Sequence, residues 1–257
     1  MTVPRIYFPG ITGKGETFDL GGENLRYVKS VLRMRKGDRL ILFDGAGWEY
    51  ETVIKSFSAD GIDVEVMGKN RIEEESPNIT VLQALPKANK MDSIVRKATE
   101  LGARRIIPFR AARSVPQLTA EKADVRVSRW RSIATEAARQ CGRADLPEVS
   151  DVLSFEEMLA SVEGAPLKII FWEEESERGI KKLLRENKYE GAKDVTVMIG
   201  PEGGFSREEV ESAVRRGFIS VSLGRNVLKV ETATVTILSI IQYELGIFGG
   251  EPEGDNL

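Results

Sequence analysis

The feature that most constrains the fold of this chain is a regular alternation of strand and helix patterns that begins near residue 78. Short apolar runs alternate with segments in which apolar residues recur every three or four positions, as they do on one face of a helix. We predict strands at 79–85, 104–109, 167–172, 195–199 and 218–223, and helices at 91–101, 121–141, 179–186, from 206 onward and at 231–245. Strands that alternate with helices form a largely parallel sheet, so we predict an α/β domain.

Two of these helices have patterns that predict their burial. The inward face of the helix over 121–141 is predicted to consist of Val125, Trp130, Ile133, Ala134 and Ala137. We expect Cys141, at the end of this helix, to be a small buried residue rather than a nucleophile. The helix over 231–245 is so rich in Thr, Val and Ile that we predict it to be buried on most sides.

The first 72 residues have a different pattern, in which short strands are separated by glycine turns. Strands are predicted at 5–8, 39–43, 48–57 and 61–67, with one short helix at 23–33. Several short strands of this kind are typical of a small β-barrel. The charged stretch RIEEESP at 71–77 has no apolar period and contains a proline, so we place a linker there and a domain boundary near residue 75.

The composition excludes several classes of enzyme. The chain contains no histidine and one cysteine, so zinc hydrolases, Ser-His-Asp hydrolases, Cys-His proteases and an intramolecular disulfide are not expected. The remaining chemistry must use carboxylates, Lys, Arg, Tyr, backbone groups or a cofactor. No apolar run reaches the roughly 20 residues that span a bilayer, and the N-terminus lacks a secretory signal, so we expect a cytoplasmic protein that does not bind membranes.

The net charge of −3 hides two basic segments. Residues 1–40 hold 8 basic and 4 acidic side chains, and residues 83–146 hold 14 basic and 6 acidic ones. Because a partner responds to the local field, these segments are able to form a basic face for a nucleic acid. The alternative is an ordinary solvated helix surface, and the charge pattern alone leaves both open.

Two glycine turns follow apolar strands and are the strongest candidates for a ligand site. The first is VTVMIGPEGGF at 195–205, and the second is SLGRNVLKVETA at 222–233. Glycine lets the backbone approach a ligand closely, and Ser206 and Glu209 form a capping-box pattern that starts the next helix. The first turn lacks the Walker lysine and contains the acidic Glu202, which favours an uncharged or cationic ligand over a phosphate. A plain strand-to-helix turn remains the alternative for either turn alone.

Several motifs together resemble a known family. They are Arg5-Ile6-Tyr7-Phe8, Val31-Leu32-Arg33, Phe43-Asp44-Gly45, QALPK from Gln83, MDSIVRKATELG from Met91, EAARQCGR from Glu136 and IGPEGGFS from Ile199. In this order they resemble the ribosomal RNA small subunit methyltransferase E family, which belongs to the SPOUT class. Its members use S-adenosylmethionine to methylate N3 of a uridine in 16S rRNA.

This resemblance implies an architecture that periodicity does not show. It implies a PUA-like, RNA-binding β-barrel at 1–74, a SPOUT-type α/β methyltransferase domain with a deep C-terminal trefoil knot at 75–250, and a frayed tail at 251–257. It further implies that the protein is a homodimer. The dimer would bind 16S rRNA within an assembled 30S subunit. S-adenosylhomocysteine would be the product, and no metal would be required.

The resemblance also implies which residues form the sites. The cofactor would be bound by residues of three loops: Phe171, Trp172, Glu173, Ile199, Gly200, Pro201, Glu202, Gly203, Gly204, Leu223, Gly224, Asn226, Leu228, Thr232 and Ala233. RNA would be bound by basic residues of both domains: Arg5, Arg26, Arg33, Lys87, Arg113 and Arg143.

The last loop departs from the usual family sequence, LGPRILRTETA. Arg225 replaces its proline, Asn226 and Lys229 replace its two arginines, and Tyr27 stands where a histidine is common. We expect Arg225 or Lys229 to stabilise the anion that uracil forms when N3 loses its proton, and Glu231 or solvent to accept that proton. There is an alternative for each residue. Glu231 lies at the N-terminus of the last helix, where the helix dipole favours a carboxylate without any role in the reaction. Lys229 only contacts an RNA phosphate.

Two other functions are compatible with the same residues. One is a catalytically silent RNA-binding or ribosome-assembly protein with this fold. The other is a SPOUT methyltransferase that acts on a different RNA.

Overall fold

A computed structural model of the chain describes residues 3–9, 11, 17–72, 77–116, 118–186, 189 and 192–246. The chain forms two compact units. One comprises Met1–Glu74 and Thr135–Leu146, and the other comprises Glu75–Ala134 and Pro147–Leu257. Most of the predicted linker at 71–77 and the predicted frayed tail at 251–257 lie outside the described residues.

The first unit contains a five-stranded sheet, as the short strands and glycine turns predicted. Its strands are β1 (Arg5–Tyr7), β2 (Thr17–Asp19), β3 (Arg39–Phe43), β4 (Trp48–Phe57) and β5 (Ile62–Arg71), in the order β1-β3-β4-β5-β2. Only β1 and β3 pair in parallel. The alternating side chains of β3, β4 and β5 fill a core that includes Leu40, Leu42, Tyr50, Ile54, Ile62 and Val64. Strand β2 was not predicted, because Phe18 is its one apolar residue and a single apolar residue shows no strand period.

The helix predicted at 23–33 is divided into two parts. Helix α1 (Gly22–Arg26) continues into a π-helical turn at Tyr27–Val31. Val28 is buried, whereas the side chain of Val31 is 64% exposed. The helical segment gives way to Arg33, whose φ of 54° lies in the left-handed region.

The second unit is an α/β layer around one parallel sheet, which confirms the predicted fold class. Its strands are β6 (Asn78–Ala84), β7 (Ala103–Arg110), β8 (Glu148–Val149), β9 (Leu153–Ser154), β10 (Leu167–Phe171), β11 (Asp194–Ile199) and β12 (Ile219–Val221). Their order is β12-β10-β11-β6-β7-β8, with β9 also beside β7. Its helices are α2 (Lys90–Glu100), α4 (Phe155–Ser161), α5 (Ile180–Leu184), α6 (Arg207–Arg215) and α7 (Val230–Leu245). Helix α3 (Ala120–Cys141) belongs to this unit up to Ala134, and its remaining residues belong to the first unit. The implied knot stays a prediction.

The parallel register places four strand ends at one edge of this sheet. Strand β10 pairs with both β11 and β12, and β11 pairs with β6 so that Ile199 lies opposite Gln83. Every residue of β10 is buried, as expected for a central strand covered on both faces. The segments that follow these four strands therefore leave the sheet side by side, and they form the candidate site.

Two burial predictions for the helices are corrected by the structure. Val125 is 71% exposed, because the buried stripe of α3 runs through Val127 and Trp130. Five residues turn a helix by about 140°, so Val125 points away from this stripe. Cys141 is exposed at the end of α3. Helix α7 is buried or half-buried at every position except Thr232 and Tyr243, as its composition predicted.

None of the helices in the described ranges combines the length and the apolar character that crossing a bilayer requires.

Candidate functional site

A cavity of about 370 Å³ lies in the second unit, where the segments after β10, β11 and β12 leave the sheet. Its volume is within the range of roughly 300–1,000 Å³ that is usual for small-molecule sites. It is lined by Lys90, Phe171, Trp172, Glu173, Ile199, Gly200, Pro201, Glu202, Gly204, Ser222, Leu223, Gly224, Arg225, Asn226, Val227, Leu228, Lys229, Val230 and Ala233.

Most of the predicted cofactor-binding residues lie on the wall of this cavity. Gly203, Thr232 and Glu231 are the predicted site residues of these loops that do not line it. Ser222, Val227 and Val230 also line it; they lie in the second predicted turn but were not assigned to the cofactor. Lys90 lines it from outside both predicted turns. Lys90 comes from the first turn of α2, and its sequence neighbourhood gave no sign of a ligand site.

The glycine loop after β11 has a backbone that requires glycine at one position. Gly204 has a φ of 66°, and its N–H donates to the carbonyl of Pro201 at 3.0 Å. A Cβ at Gly204 would lie 1.7 Å from Oε1 of Glu173, so the Glu173 carboxylate occupies the space that a side chain would fill. Because Gly204 has no Cβ, the side chain of Glu173, in the segment after β10, packs directly against the backbone of the glycine loop.

The capping box predicted from Ser206 and Glu209 is present at the start of α6. The Ser206 hydroxyl accepts from the Glu209 N–H, and Oε2 of Glu209 accepts from the Ser206 N–H at 2.9 Å. Oε1 of Glu209 also accepts from the N–H of Ala112 at 2.8 Å. A single buried carboxylate thus fixes both the exit of the glycine loop and the turn after β7.

A buried glutamine connects the strand ends to the last helix. The amide of Gln83 donates to the carbonyl of Ala84 at 3.0 Å, and its oxygen accepts from the Thr234 hydroxyl at 3.3 Å. Gln83 is fully buried at the end of β6, so these bonds satisfy an amide that would otherwise destabilise the core. The QALPK motif therefore helps to position α7 beside the glycine loop.

Glu202 has partners that its sequence neighbourhood did not predict. Both of its carboxylate oxygens accept from the N–H of Lys87 at 3.1 Å, and Oε1 lies 2.8 Å from Nζ of Lys90. Burial opposes its charge, but the bonds from Lys90 and from backbone N–H groups outweigh that effect and lower the pKa of Glu202. The same hydrogen bond raises the pKa of Lys90. The carboxylate is therefore ionised and paired, not an isolated charge in the loop.

The three predicted catalytic residues lie in the last loop and at the start of α7. Arg225 and Lys229 are exposed and line the cavity. Glu231 lies in the first turn of α7, where the helix dipole favours a carboxylate. Its Oε2 is 3.8 Å from Nζ of Lys90 and is buried without a hydrogen-bond partner among the described residues.

Four of the predicted RNA-binding residues have exposed side chains. Arg26 and Arg33 are in the first unit, and Lys87 and Arg113 are in the second. Nη1 of Arg113 donates to the carbonyl of Gly203 at 2.9 Å, so this arginine also supports the glycine loop.

The other two predicted RNA-binding arginines are engaged within the first unit. Arg143 is 6% exposed, and its Nε lies 3.1 Å from Oδ1 of Asp145 in an ion pair that uses both carboxylate oxygens. Arg5 pairs with Glu49 and donates to the carbonyl of Arg143 at 2.9 Å. The sequence shows the charge of these two arginines but not their partners. Because both are engaged in contacts within the protein, we do not assign them to RNA binding.

Tyr27, which replaces a common family histidine, contacts a residue of the EAARQCGR motif. The Arg139 guanidinium lies 4.6 Å from the centroid of the Tyr27 ring, and its Nη1 donates to the Tyr27 hydroxyl at 2.5 Å. The aromatic ring therefore packs against a cation that Glu136 also holds.

Replacing Arg143 by alanine is expected to destabilise the first unit by about 3–5 kcal/mol, because the buried carboxylate of Asp145 would lose this ion pair. Urea unfolding measures this loss. Arg26→Ala is the control, because removal of an exposed side chain should change the unfolding free energy by less than about 0.5 kcal/mol. A loss below about 1 kcal/mol for Arg143→Ala would contradict a structural role for the ion pair.

Two family models match the chain. The RNA methyltransferase domain covers residues 73–242, and the RNA methyltransferase PUA domain covers residues 20–67. The second match lies within the unit that contains the five-stranded sheet.

Curated relatives match over nearly the whole chain. The ribosomal RNA small subunit methyltransferase E of Bacillus subtilis (strain 168) is 33% identical over 91% of this chain and 93% of its own length. The protein of the same name from Mycobacterium tuberculosis (strain CDC 1551 / Oshkosh) is 28% identical over 94% of this chain and 92% of its own.

Solved structures with the same fold include two that were determined with a cofactor. A methyltransferase from Legionella pneumophila, in complex with SAM, is 32% identical, with a TM-score of 0.84 over 94% of this chain and 98% of that chain. The ribosomal RNA small subunit methyltransferase E of Neisseria gonorrhoeae, bound to S-adenosyl methionine, is 29% identical, with a TM-score of 0.82 over 94% and 97%. The resemblance seen in the motifs is thus confirmed, and this chain belongs to the ribosomal RNA small subunit methyltransferase E family of RNA methyltransferases.

Proposed function

We propose that this chain uses S-adenosylmethionine to methylate N3 of a uridine in the 16S rRNA of the small ribosomal subunit. The observation that supports this most strongly is a cavity, beside the ends of β10, β11 and β12, whose wall includes most of the predicted cofactor-binding residues. Relatives with the same fold are bound to this cofactor in their structures. The proposed substrate agrees with the names of the curated relatives.

The residues of the cavity fit this cofactor. Phe171, Ile199, Leu223 and Leu228 offer apolar surface for an adenine ring, and the strand ends offer backbone groups for its polar edge. Glu173 contributes a carboxylate, held against Gly204, that suits a cationic group. Neither Glu173 nor the glycine loop repels a sulfonium, so this part of the wall is compatible with the cofactor.

When bound, the cofactor supplies an electrophilic methyl group on a positively charged sulfur that departs as a neutral thioether. The chain's own residues must then handle the uracil. In our proposal the Glu231 carboxylate accepts the proton of N3, and the electron pair left on N3 is delocalised onto O2 and O4. Arg225 and Lys229 stabilise this negative charge from the loop that lines the cavity. No metal ion is required for these steps.

RNA binding is assigned to exposed basic residues of both units. Arg26 and Arg33 serve in the first unit, and Lys87 and Arg113 serve in the second. Phosphate contacts of this kind position an RNA but do not select a uridine, so the target base must be extruded into the site. We further propose that the chain acts in the cytoplasm as a homodimer on the 30S subunit, with its last segments threaded as a trefoil knot.

Calorimetry with S-adenosylhomocysteine tests this function against a silent RNA-binding protein of the same fold. The proposal predicts saturable cofactor binding by the protein without RNA. An absence of binding at millimolar cofactor, together with tight binding of 16S rRNA, would favour the silent protein. The departures at Asn226 and Lys229 make this comparison necessary.

Arg33→Ala is expected to weaken RNA binding and to reduce the dependence of log affinity on log salt concentration by about one unit of slope, since one phosphate contact is lost. The affinity is measured at several salt concentrations. Arg178→Ala is the control, because Arg178 is exposed but lies outside both basic segments. A slope that is the same for Arg33→Ala and the unaltered protein would remove Arg33 from the RNA-binding set.

A further inference from the structure

Lys90 connects acidic residues from two different segments at the cavity. Its Nζ lies 2.8 Å from Oε1 of Glu202, in the glycine loop after β11, and 3.8 Å from Oε2 of Glu231, in the first turn of α7. Lys90 itself begins α2 and lines the cavity. One ammonium group therefore joins three segments that are far apart in the sequence.

The two carboxylates differ in how firmly they are held. Glu202 is fixed by two hydrogen bonds from the Lys87 N–H and by its short contact with Lys90. Glu231 has only the longer contact with Lys90, and its buried Oε2 has no hydrogen-bond partner among the described residues. A buried carboxylate oxygen without a donor is costly unless a ligand supplies one. The Glu231 carboxylate is thus held less firmly than that of Glu202, and its ion pair within the described residues is the one with Lys90.

The positions of these charges make their interaction stronger than that of a surface ion pair. The side chains of Lys90, Glu202 and Glu231 are 33%, 22% and 25% exposed, respectively, so water screens them only in part. Without the ammonium, two carboxylates that both reach the same point would repel each other, and one would take up a proton at higher pH. The other charged groups that face the cavity are Glu173, Arg225 and Lys229.

We propose that Lys90 is a positioning residue, whose ammonium group holds the carboxylates of Glu202 and Glu231 together and so keeps the Glu231 carboxylate in place to accept a proton from the RNA substrate. This role rests on the proposed function, in which Glu231 accepts the proton of uracil N3. Glu202 anchors the lysine, and the lysine acts on the reaction only through Glu231.

The test compares Lys90→Met with Lys90→Arg in single-turnover methylation of 16S rRNA across pH, with saturating cofactor and RNA. For Lys90→Met we expect the rate near neutral pH to fall about tenfold and to recover as the pH rises, because one pH unit changes the ionised fraction tenfold when a group is mostly protonated. Lys90→Arg keeps the charge and should stay within about threefold of the unaltered protein. Lys182→Met, which removes an exposed lysine of α5, should leave the pH profile unchanged.

A lysine that only supported the fold would give a different result. Lys90→Met would then lower the rate by the same factor at every pH, and this outcome, or an unchanged rate, would overturn the proposal. Because Lys90 lines the cavity, binding of S-adenosylhomocysteine by Lys90→Met is measured as well, so that the rates are compared at full cofactor occupancy.

A second readout does not depend on activity. The side-chain carboxyl carbons of Glu202 and Glu231 are labelled with ¹³C, assigned with Glu202→Gln and Glu231→Gln, and titrated in the protein with and without Lys90→Met. We expect at least one of the two carbons to titrate at higher pH in the variant. If the unaltered protein fails to methylate rRNA, the proposed function fails while this titration still tests the lysine. If neither carbon moves, the role of Lys90 fails whatever the reaction is.

Discussion

Replacing Glu231 by glutamine is expected to slow single-turnover methylation by about 100-fold or more, because loss of a general base typically costs 10²–10⁴ in rate. Glutamine keeps the size of the side chain but cannot accept the proton of uracil N3. The rate is measured with saturating cofactor and RNA, so that changes in binding do not contribute. Lys229→Ala, which removes a cation proposed to stabilise the uracil anion, is expected to slow the same step by a smaller factor of about tenfold.

The matched control for Glu231→Gln is Glu244→Gln on the same helix. Glu244 lies in the last turn of α7, where it pairs with Arg185 at 2.8 Å and does not line the cavity. If Glu231 only favoured the helix dipole, its replacement would lower stability by about 0.3–1 kcal/mol and leave the rate intact. Unchanged rates for both Glu231→Gln and Lys229→Ala would exclude these residues from the chemistry.

The second large effect is expected at Gly204. Alanine there must adopt a φ of 66°, which costs about 1–2 kcal/mol, and its Cβ would displace the carboxylate of Glu173. Because both changes alter the wall of the cavity, we expect the affinity for S-adenosylmethionine, measured by calorimetry, to fall about tenfold or more.

Gly164→Ala is the control for this variant. Gly164 lies in a loop of the same unit, and a Cβ there would meet no atom within 4 Å. It should bind the cofactor as the unaltered protein does. Equal cofactor affinity for Gly204→Ala and Gly164→Ala would show that the shape of the glycine loop does not determine cofactor binding.

Local patterns in the sequence predicted much of the second unit. The helical spacing at 91–101 and the apolar run at 195–199 correspond to α2 and β11. The capping box of Ser206 and Glu209 was predictable because its two residues are three positions apart and satisfy each other's backbone groups. The two glycine turns predicted as ligand sites line the same cavity, because the strands that they follow, β11 and β12, lie on either side of β10 and end on the same side of the parallel sheet.

What the sequence did not reveal depends on contacts between distant segments. The pairing of Lys90 with Glu202 and Glu231 requires α2, the glycine loop and α7 to meet, and no local pattern encodes that meeting. Similarly, Arg143 was predicted to bind RNA. That prediction is not supported by the structure, because this arginine is buried against Asp145, and its burial is visible only in the folded unit. Charge alone therefore identified basic segments but did not show which of their arginines are buried in ion pairs.

The central claim is that this chain methylates N3 of a uridine in 16S rRNA. It is tested most directly by incubating the protein with S-adenosylmethionine and small ribosomal subunits from a strain that lacks its gene, followed by nuclease digestion and mass mapping of the rRNA. We predict one added methyl group, on the N3 atom of a single uridine, and none when the cofactor is omitted. A methyl group on a ribose, on another base or on another RNA, or no methyl transfer despite cofactor binding, would contradict the claim.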